Sequence, residues 1–135
     1  MIERSLLYVS RKRIDASADT SAIDDIVAVS RARNAGLNVT GALVATTDHF
    51  AQILEGDSQA IEQLMDSIYR DIRHTDVTVV REIAIARRSF ADWSMAYSGS
   101  STYVSRQIAP LLDGNAEAMR GRAERLASLM AGFVA

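Results

Sequence analysis

Phe50-Ala51-Gln52-Ile53-Leu54-Glu55-Gly56 reads as a strand with one anomaly. Alternate residues of a strand share a face. Phe50, Gln52 and Leu54 therefore point the same way, with a primary amide between two large apolar groups. A buried amide without partners costs about 1–3 kcal/mol. Gln52 thus needs either polar neighbours from this chain or a ligand with fixed donors and acceptors. Tyr8, Asn34 and Trp93 each place a polar atom in an otherwise apolar pattern, and where they meet decides the function.

The flanking segments set the topology. Residues 5–10 form a first strand, with Leu7 and Val9 on one face and Leu6 and Tyr8 on the other. Arg11-Lys12-Arg13 opens a polar connection, read as a solvated basic loop. Thr20 or Ser21 caps a helix that Gly36 is placed to end. Ile23, Ile26, Val27, Ser30 and Asn34 fall on one stripe of that helix, whose polar end faces something polar. Residues 39–46 form a second strand, and Thr47-Asp48 turns it back into the third.

Asp57 or Ser58 caps a second helix with the face Ile61, Leu64, Met65, Ile68 and Ile72. Residues 76–86 read as a fourth strand. Residues 93–98 read as a fifth, with Trp93, Met95 and Tyr97 on one face. Further helices are expected over 102–112 and 115–133, with Leu112-Asp113-Gly114-Asn115 as a turn between them. The order β-α-β-β-α-β-β predicts an α+β, ferredoxin-like sheet with two helices on one face. The C-terminal helices then cover the second face or meet another subunit.

Composition narrows the function. A chain of 135 residues forms one domain. With 48% hydrophobic and 24% charged residues it has a globular composition, and a net charge of −2 draws in neither nucleic acid nor anionic lipid. The absence of cysteine removes disulfides, thiolate metal sites and cysteine nucleophiles. Two histidines far apart, His49 and His74, make no metal site. No apolar run suits a membrane span, and the N-terminus is no signal peptide. A cytoplasmic location is the expectation.

Taken singly, the candidate residues have ordinary explanations. Tyr8 suits a packed strand tyrosine, Gln52 an edge position, Asn34 a helix cap and Trp93 the core. Taken together they converge. In the expected topology the first and third strands are central neighbours under the two helices, so Tyr8 and Gln52 meet while Asn34 arrives from the first helix. A slot between Ile26 and Ile68, floored by polar groups, suits a flat heterocycle with polar edges.

Over 4–98 the chain resembles the BLUF domains, flavin-binding blue-light sensors. The resemblance rests on Tyr8-Val9-Ser10, Ser30 with Asn34, Val39-Thr40-Gly41, the Phe50–Gly56 segment, Asp71-x-Arg73-His74, and Phe90-x-x-Trp93-Ser94-Met95. It implies a non-covalent FAD or FMN and a photochemical group of Tyr8, Gln52, Trp93 and Met95. Tyr8 would give an electron and a proton to the excited flavin, and Gln52 would link Tyr8 to the ring. Asn34 would hold the pyrimidine edge, and Ile26 and Ile68 would pack on the faces. Asp71, Arg73 and His74 would meet the ribityl chain and phosphate. Ser30, Arg33, Phe50 and Leu54 complete the expected cofactor contacts.

Arg33, where the family often has a neutral polar residue, and Ala45, where many members carry an aromatic, depart from the pattern. So does a slightly longer connection over 11–22. The implied division is a flavin-binding domain over 1–98 and a helical extension over 99–135. The implied function is a photoreceptor with no enzymatic output of its own, signalling through the fifth strand and C-terminal helices to a separate effector protein or within a homo-oligomer. The enzymatic alternative is an acylphosphatase-like small hydrolase on the same fold, which needs an anion-cradling glycine loop after the first strand. Arg11-Lys12-Arg13-Ile14-Asp15 contains no glycine.

Overall fold

A computed structural model describes residues 3–13, 21–113 and 120–134, with the side chains of 21–23 and 113 outside that set. Five strands form one sheet in the order β4-β1-β3-β2-β5. They are β1 (Glu3–Lys12), β2 (Thr40–Ala45), β3 (His49–Asp57), β4 (His74–Ile85) and β5 (Trp93–Ser98). The helices are α1 (Ser21–Gly36), α2 (Ser58–Arg70), α3 (Thr102–Asp113) and α4 (Arg120–Val134). All pairings are antiparallel except β2 with β5. This is the expected α+β, ferredoxin-like arrangement.

β1 and β3 are central, so their side chains are buried on both faces of the sheet. Leu6, Tyr8, Leu54, Leu64 and Ile68 belong to the core under α1 and α2. Leu7, Val9, Val44 and Ile53 join Ile108, Leu126 and Met130 in the core under α3 and α4. The C-terminal helices therefore cover the second face of the sheet with their own chain.

β2 begins at a position that only glycine fits. Gly41 has φ +151°, and a Cβ there would lie 1.9 Å from the Ile53 carbonyl oxygen. Its N–H donates to the Asp92 carbonyl at 3.1 Å, tying β2 to the start of β5. The Val39-Thr40-Gly41 motif thus has a backbone cause.

Two local expectations are corrected here, those for Ile72 and for Tyr97. α2 stops at Arg70, where Asp71 takes an extended conformation as the cap. Ile72 therefore leaves the helical stripe and is 83% exposed. α1 ends at Gly36 as expected, and the left-handed residue that follows it is Asn38, with φ 55°. Asparagine tolerates that region better than most non-glycine residues. In β5 a bulge shifts the register between Leu43/Met95 and Val44/Tyr97. The extra residue turns Tyr97 away from Met95, so it meets the core under α4 instead of sharing the face of Trp93.

Only Arg13 of the basic stretch is exposed beyond the strand, so the expected solvated loop is corrected for the other two residues. Arg11 and Lys12 end β1; Arg11 pairs with Asp76 at 3.0 Å, and Lys12 Nζ donates to the Thr46 carbonyl and lies 5.1 Å from the Phe50 ring centre. Burial pushes the Lys12 pKa down, against the pull of Asp48. Ile23 (side chain), Thr20, Met119 and the 114–115 part of the expected turn lie outside the described residues.

Candidate functional site

Tyr8 and Gln52 are register partners across the β1–β3 pair. Gln52 Nε2 donates to the Tyr8 hydroxyl at 2.6 Å, and Trp93 Nε1 donates to Gln52 Oε1 at 3.0 Å. Indole nitrogen only donates, so the carbonyl end of Gln52 must face Trp93 and its amino end Tyr8. All three side chains are buried. Trp93 points inward.

Asn34 is fully buried in the last turn of α1. With its amide oriented to satisfy both ends, Nδ2 donates to the Ser30 carbonyl at 3.2 Å and Oδ1 accepts from Trp93 Nε1 at 2.9 Å. The single indole N–H therefore lies between two carboxamide oxygens. Asn34 is polar company for Trp93 and does not line the slot, a position that its spacing along α1 did not foretell.

The slot itself opens between α1 and α2 above β1 and β3. It is narrow, with a cavity volume of about 40 Å³, lined by Tyr8, Ile26, Val29, Ser30, Arg33, Leu43, Phe50, Gln52, Ile68, Asp71, Arg73 and His74. Ten of the expected cofactor contacts are on its wall. Asn34 and Leu54 are not; Leu54 is wholly buried in the core under α1 and α2. Val29 and Leu43 also line the slot. Their apolar side chains carried no signal to separate them from ordinary core.

Polar groups gather at the mouth. Arg73 Nε and Nη2 hold both oxygens of Asp71, at 2.9 and 2.6 Å. The guanidinium holds the Asp71 carboxyl below its usual pKa, and the carboxylate raises that of Arg73. His74 Nε2 lies 2.7 Å from the Ile68 carbonyl and Nδ1 lies 2.8 Å from the Ser10 hydroxyl. The carbonyl requires a donor, so Nε2 carries the proton and Nδ1 accepts from Ser10 in the neutral ring. Both nitrogens are engaged within the chain. His74 thus offers the slot its ring, edge-on to Tyr8 and Phe50.

Two features describe what the slot receives. Burial pushes the Tyr8 phenol well above its ordinary pKa, against smaller opposing effects of Gln52 and the Arg33 charge. Tyr8 is therefore a protonated phenol at any physiological pH. Arg33 Nε is buried in the slot wall with no hydrogen-bond partner among the described residues. An unpartnered buried donor is costly, and a ligand with a carbonyl or phosphate oxygen would satisfy it.

The chain is similar to known proteins over this region. A family model described as BLUF, sensors of blue-light using FAD, matches residues 4–96. The photoactivated adenylate cyclase subunit beta of Euglena longa is 35% identical over 97 residues, which cover 67% of this chain and 10% of that protein. The blue light- and temperature-regulated antirepressor BluF of Escherichia coli is 32% identical over 85 residues, 62% of this chain and 21% of that protein. The chain thus spans a tenth to a fifth of these relatives. The dark-state structure of BlrB, a BLUF protein, superposes with a TM-score of 0.72 at 32% identity, covering 97% of both chains. A flat slot floored by a phenol and a carboxamide is what the fold presents. The chain belongs to the BLUF family of flavin-binding blue-light sensors.

The residues fit the family's FAD. Ile26 and Ile68 stand on the slot wall from opposite helices, Tyr8 and Gln52 supply polar edges, and Arg33 Nε waits for an acceptor. Among the described residues no group of acidic, histidine or cysteine side chains is arranged to hold a metal ion. No described helix is long and apolar enough to cross a membrane.

Proposed function

We propose that this chain senses blue light by reversing the hydrogen bonds of Gln52. Bound in the slot, a flavin supplies a blue-absorbing ring that accepts an electron when excited. Tyr8 lines that slot and is the electron donor. Its raised pKa keeps the proton on the phenol in the dark, and loss of an electron makes that proton strongly acidic.

The direction of the amide then matters. In the present orientation Gln52 offers Tyr8 only N–H, which cannot take a proton. Rotation of the carboxamide brings Oε1 to Tyr8 and turns Nε2 toward Trp93, donor against donor. Asn34 Oδ1 at 2.9 Å keeps the indole N–H partnered while this happens. The rotation therefore does not strand the indole N–H. A donor newly aimed at the ring's carbonyl edge would shift the absorption to longer wavelength.

The signal leaves through β5. Trp93 and Met95 belong to the slot side of the sheet, while Tyr97, across the bulge, stacks on Phe133 of α4 with ring centres 5.7 Å apart. We assign sensing to 1–98 and output to the helices over 99–135, acting on a separate effector or a second copy of the chain without an enzymatic step of its own. The observation that carries the reading is the buried Tyr8–Gln52–Trp93 chain of hydrogen bonds on the slot floor.

An absorption spectrum of the purified full chain, before and after blue light, tests it. Flavin bands that shift to the red and return in the dark are expected. A colourless protein that does not take up added flavin, or a flavin-loaded one whose bands stay fixed, would overturn the proposal. Phe133→Ala, at a partly exposed residue that stacks on Tyr97, should weaken light-dependent binding of the effector and leave the spectral shift in place.

A further inference from the structure

Glu55 is a buried carboxyl that the Tyr8–Gln52 pair does not use. It is 1% exposed, on β3. The odd offset from Gln52 places it on the opposite face of the strand. Its Oε1 accepts from two backbone N–H groups, those of Ser89 at 2.6 Å and Phe90 at 3.0 Å.

The topology explains why that grip matters. β4 and β5 are opposite edges of the sheet. The irregular connection over 86–92 must therefore cross the ends of three strands before Trp93 begins β5. Arg88 fastens its start to Glu3 and Thr40, and the Asp92 carbonyl fastens its end to Gly41. Midway, the backbone donors of Ser89 and Phe90 close on Glu55 at the end of the central strand. Phe90 is itself buried in the core under α3 and α4.

We propose that Glu55 is a positioning residue for Trp93: by holding the crossing connection at Ser89 and Phe90, it sets where β5 starts and keeps the indole N–H on Gln52. The inference rests on reading Tyr8, Gln52 and Trp93 as the light switch, but its test does not need light. The chain has one tryptophan, so the dark, flavin-loaded protein gives one indole N–H signal by nuclear magnetic resonance.

Glu55→Gln keeps a carbonyl oxygen at the same reach and should leave that signal and its hydrogen exchange unchanged. Glu55→Asp keeps the charge but is one methylene too short. It should shift the signal and speed its exchange on the order of tenfold, as expected for one lost hydrogen bond. Ser89→Pro removes one of the two donors on an exposed residue and should act in the same direction as Glu55→Asp. A lower melting temperature with an unmoved indole signal in both Glu55→Asp and Ser89→Pro would reduce Glu55 to a structural clamp and overturn the proposal. A wild-type protein without a light-induced shift would sink the switch and leave the indole result to judge Glu55 separately.

Discussion

Replacing Gln52 by leucine separates the switch from the scaffold that carries it. Leucine has nearly the same volume, so no sizeable cavity opens. Two hydrogen bonds disappear, to the Tyr8 hydroxyl and from Trp93 Nε1. The indole retains Asn34 Oδ1 at 2.9 Å, so only the Tyr8 oxygen loses a buried partner outright. One such group costs about 1–3 kcal/mol. At this chain length 1 kcal/mol corresponds to roughly 3–5 °C, so the melting temperature should fall by about 3–15 °C. The apolar walls and Arg33 are untouched, and flavin should remain bound with its dark spectrum slightly displaced. Illumination should then produce no red shift, because leucine has no donor and acceptor ends to exchange. Circular dichroism melting and difference absorption on the same sample check both parts. A Gln52→Leu protein that retains the reversible shift would refute the assignment of the switch to this amide.

Other perturbations probe the rest of the site. Arg33→Gln removes a cation whose buried Nε has no partner among the described residues. It should weaken flavin binding about tenfold or more, given about 1.5–3 kcal/mol for a charge-assisted hydrogen bond, with little loss of stability in the flavin-free protein; fluorescence titration measures the dissociation constant. The carboxyl of Asp71 is held below its ordinary value by Arg73. A depressed folded-state pKa contributes stability above the unfolded value and loses it as pH falls through the folded one. Denaturation midpoints should therefore drop on acidification below the ordinary carboxylate range, and Asp71→Asn should flatten that part of the pH profile. The partial exposure of the pair keeps the effect modest. Gly41→Ala drives a Cβ into the Ile53 carbonyl and should cost several kcal/mol or prevent folding, measured by thermal melting. Tyr97→Leu removes the stack on Phe133. It should cost about 0.5–1.5 kcal/mol beyond lost area and weaken effector coupling without changing the light-induced spectrum.

The parts of the site legible from the sequence are those governed by strand alternation and strand order. Tyr8 and Gln52 fall on one face by the two-residue period, and the βαββαββ order makes their strands central neighbours. The slot-lining Ile26, Ser30 and Ile68 follow from helical spacing. Ile72 was misplaced because Asp71 ends the helix through its own cap, a local choice that continued apolar periodicity conceals. Tyr97 was misplaced because a bulge, invisible in residue order, shifts the phase of β5. Glu55 sat in a quoted motif without a role, since its partners are backbone donors more than thirty residues away.

The residue order alone determined the fold class, the pairing of one phenol with one carboxamide, and a slot for a flat ligand. These depend on periodicity and on which segments are apolar, which are properties of the chain read in one dimension. Tertiary structure alone decided that Trp93 points inward, that Asn34 shares its N–H with Gln52, and that α3 and α4 close the second face of the sheet. Each depends on where distant backbone atoms arrive, such as the Asp92 carbonyl on Gly41 and the Ser89 and Phe90 amides on Glu55. A hydrogen bond is set by distance and direction in space, and no spacing along the chain encodes them.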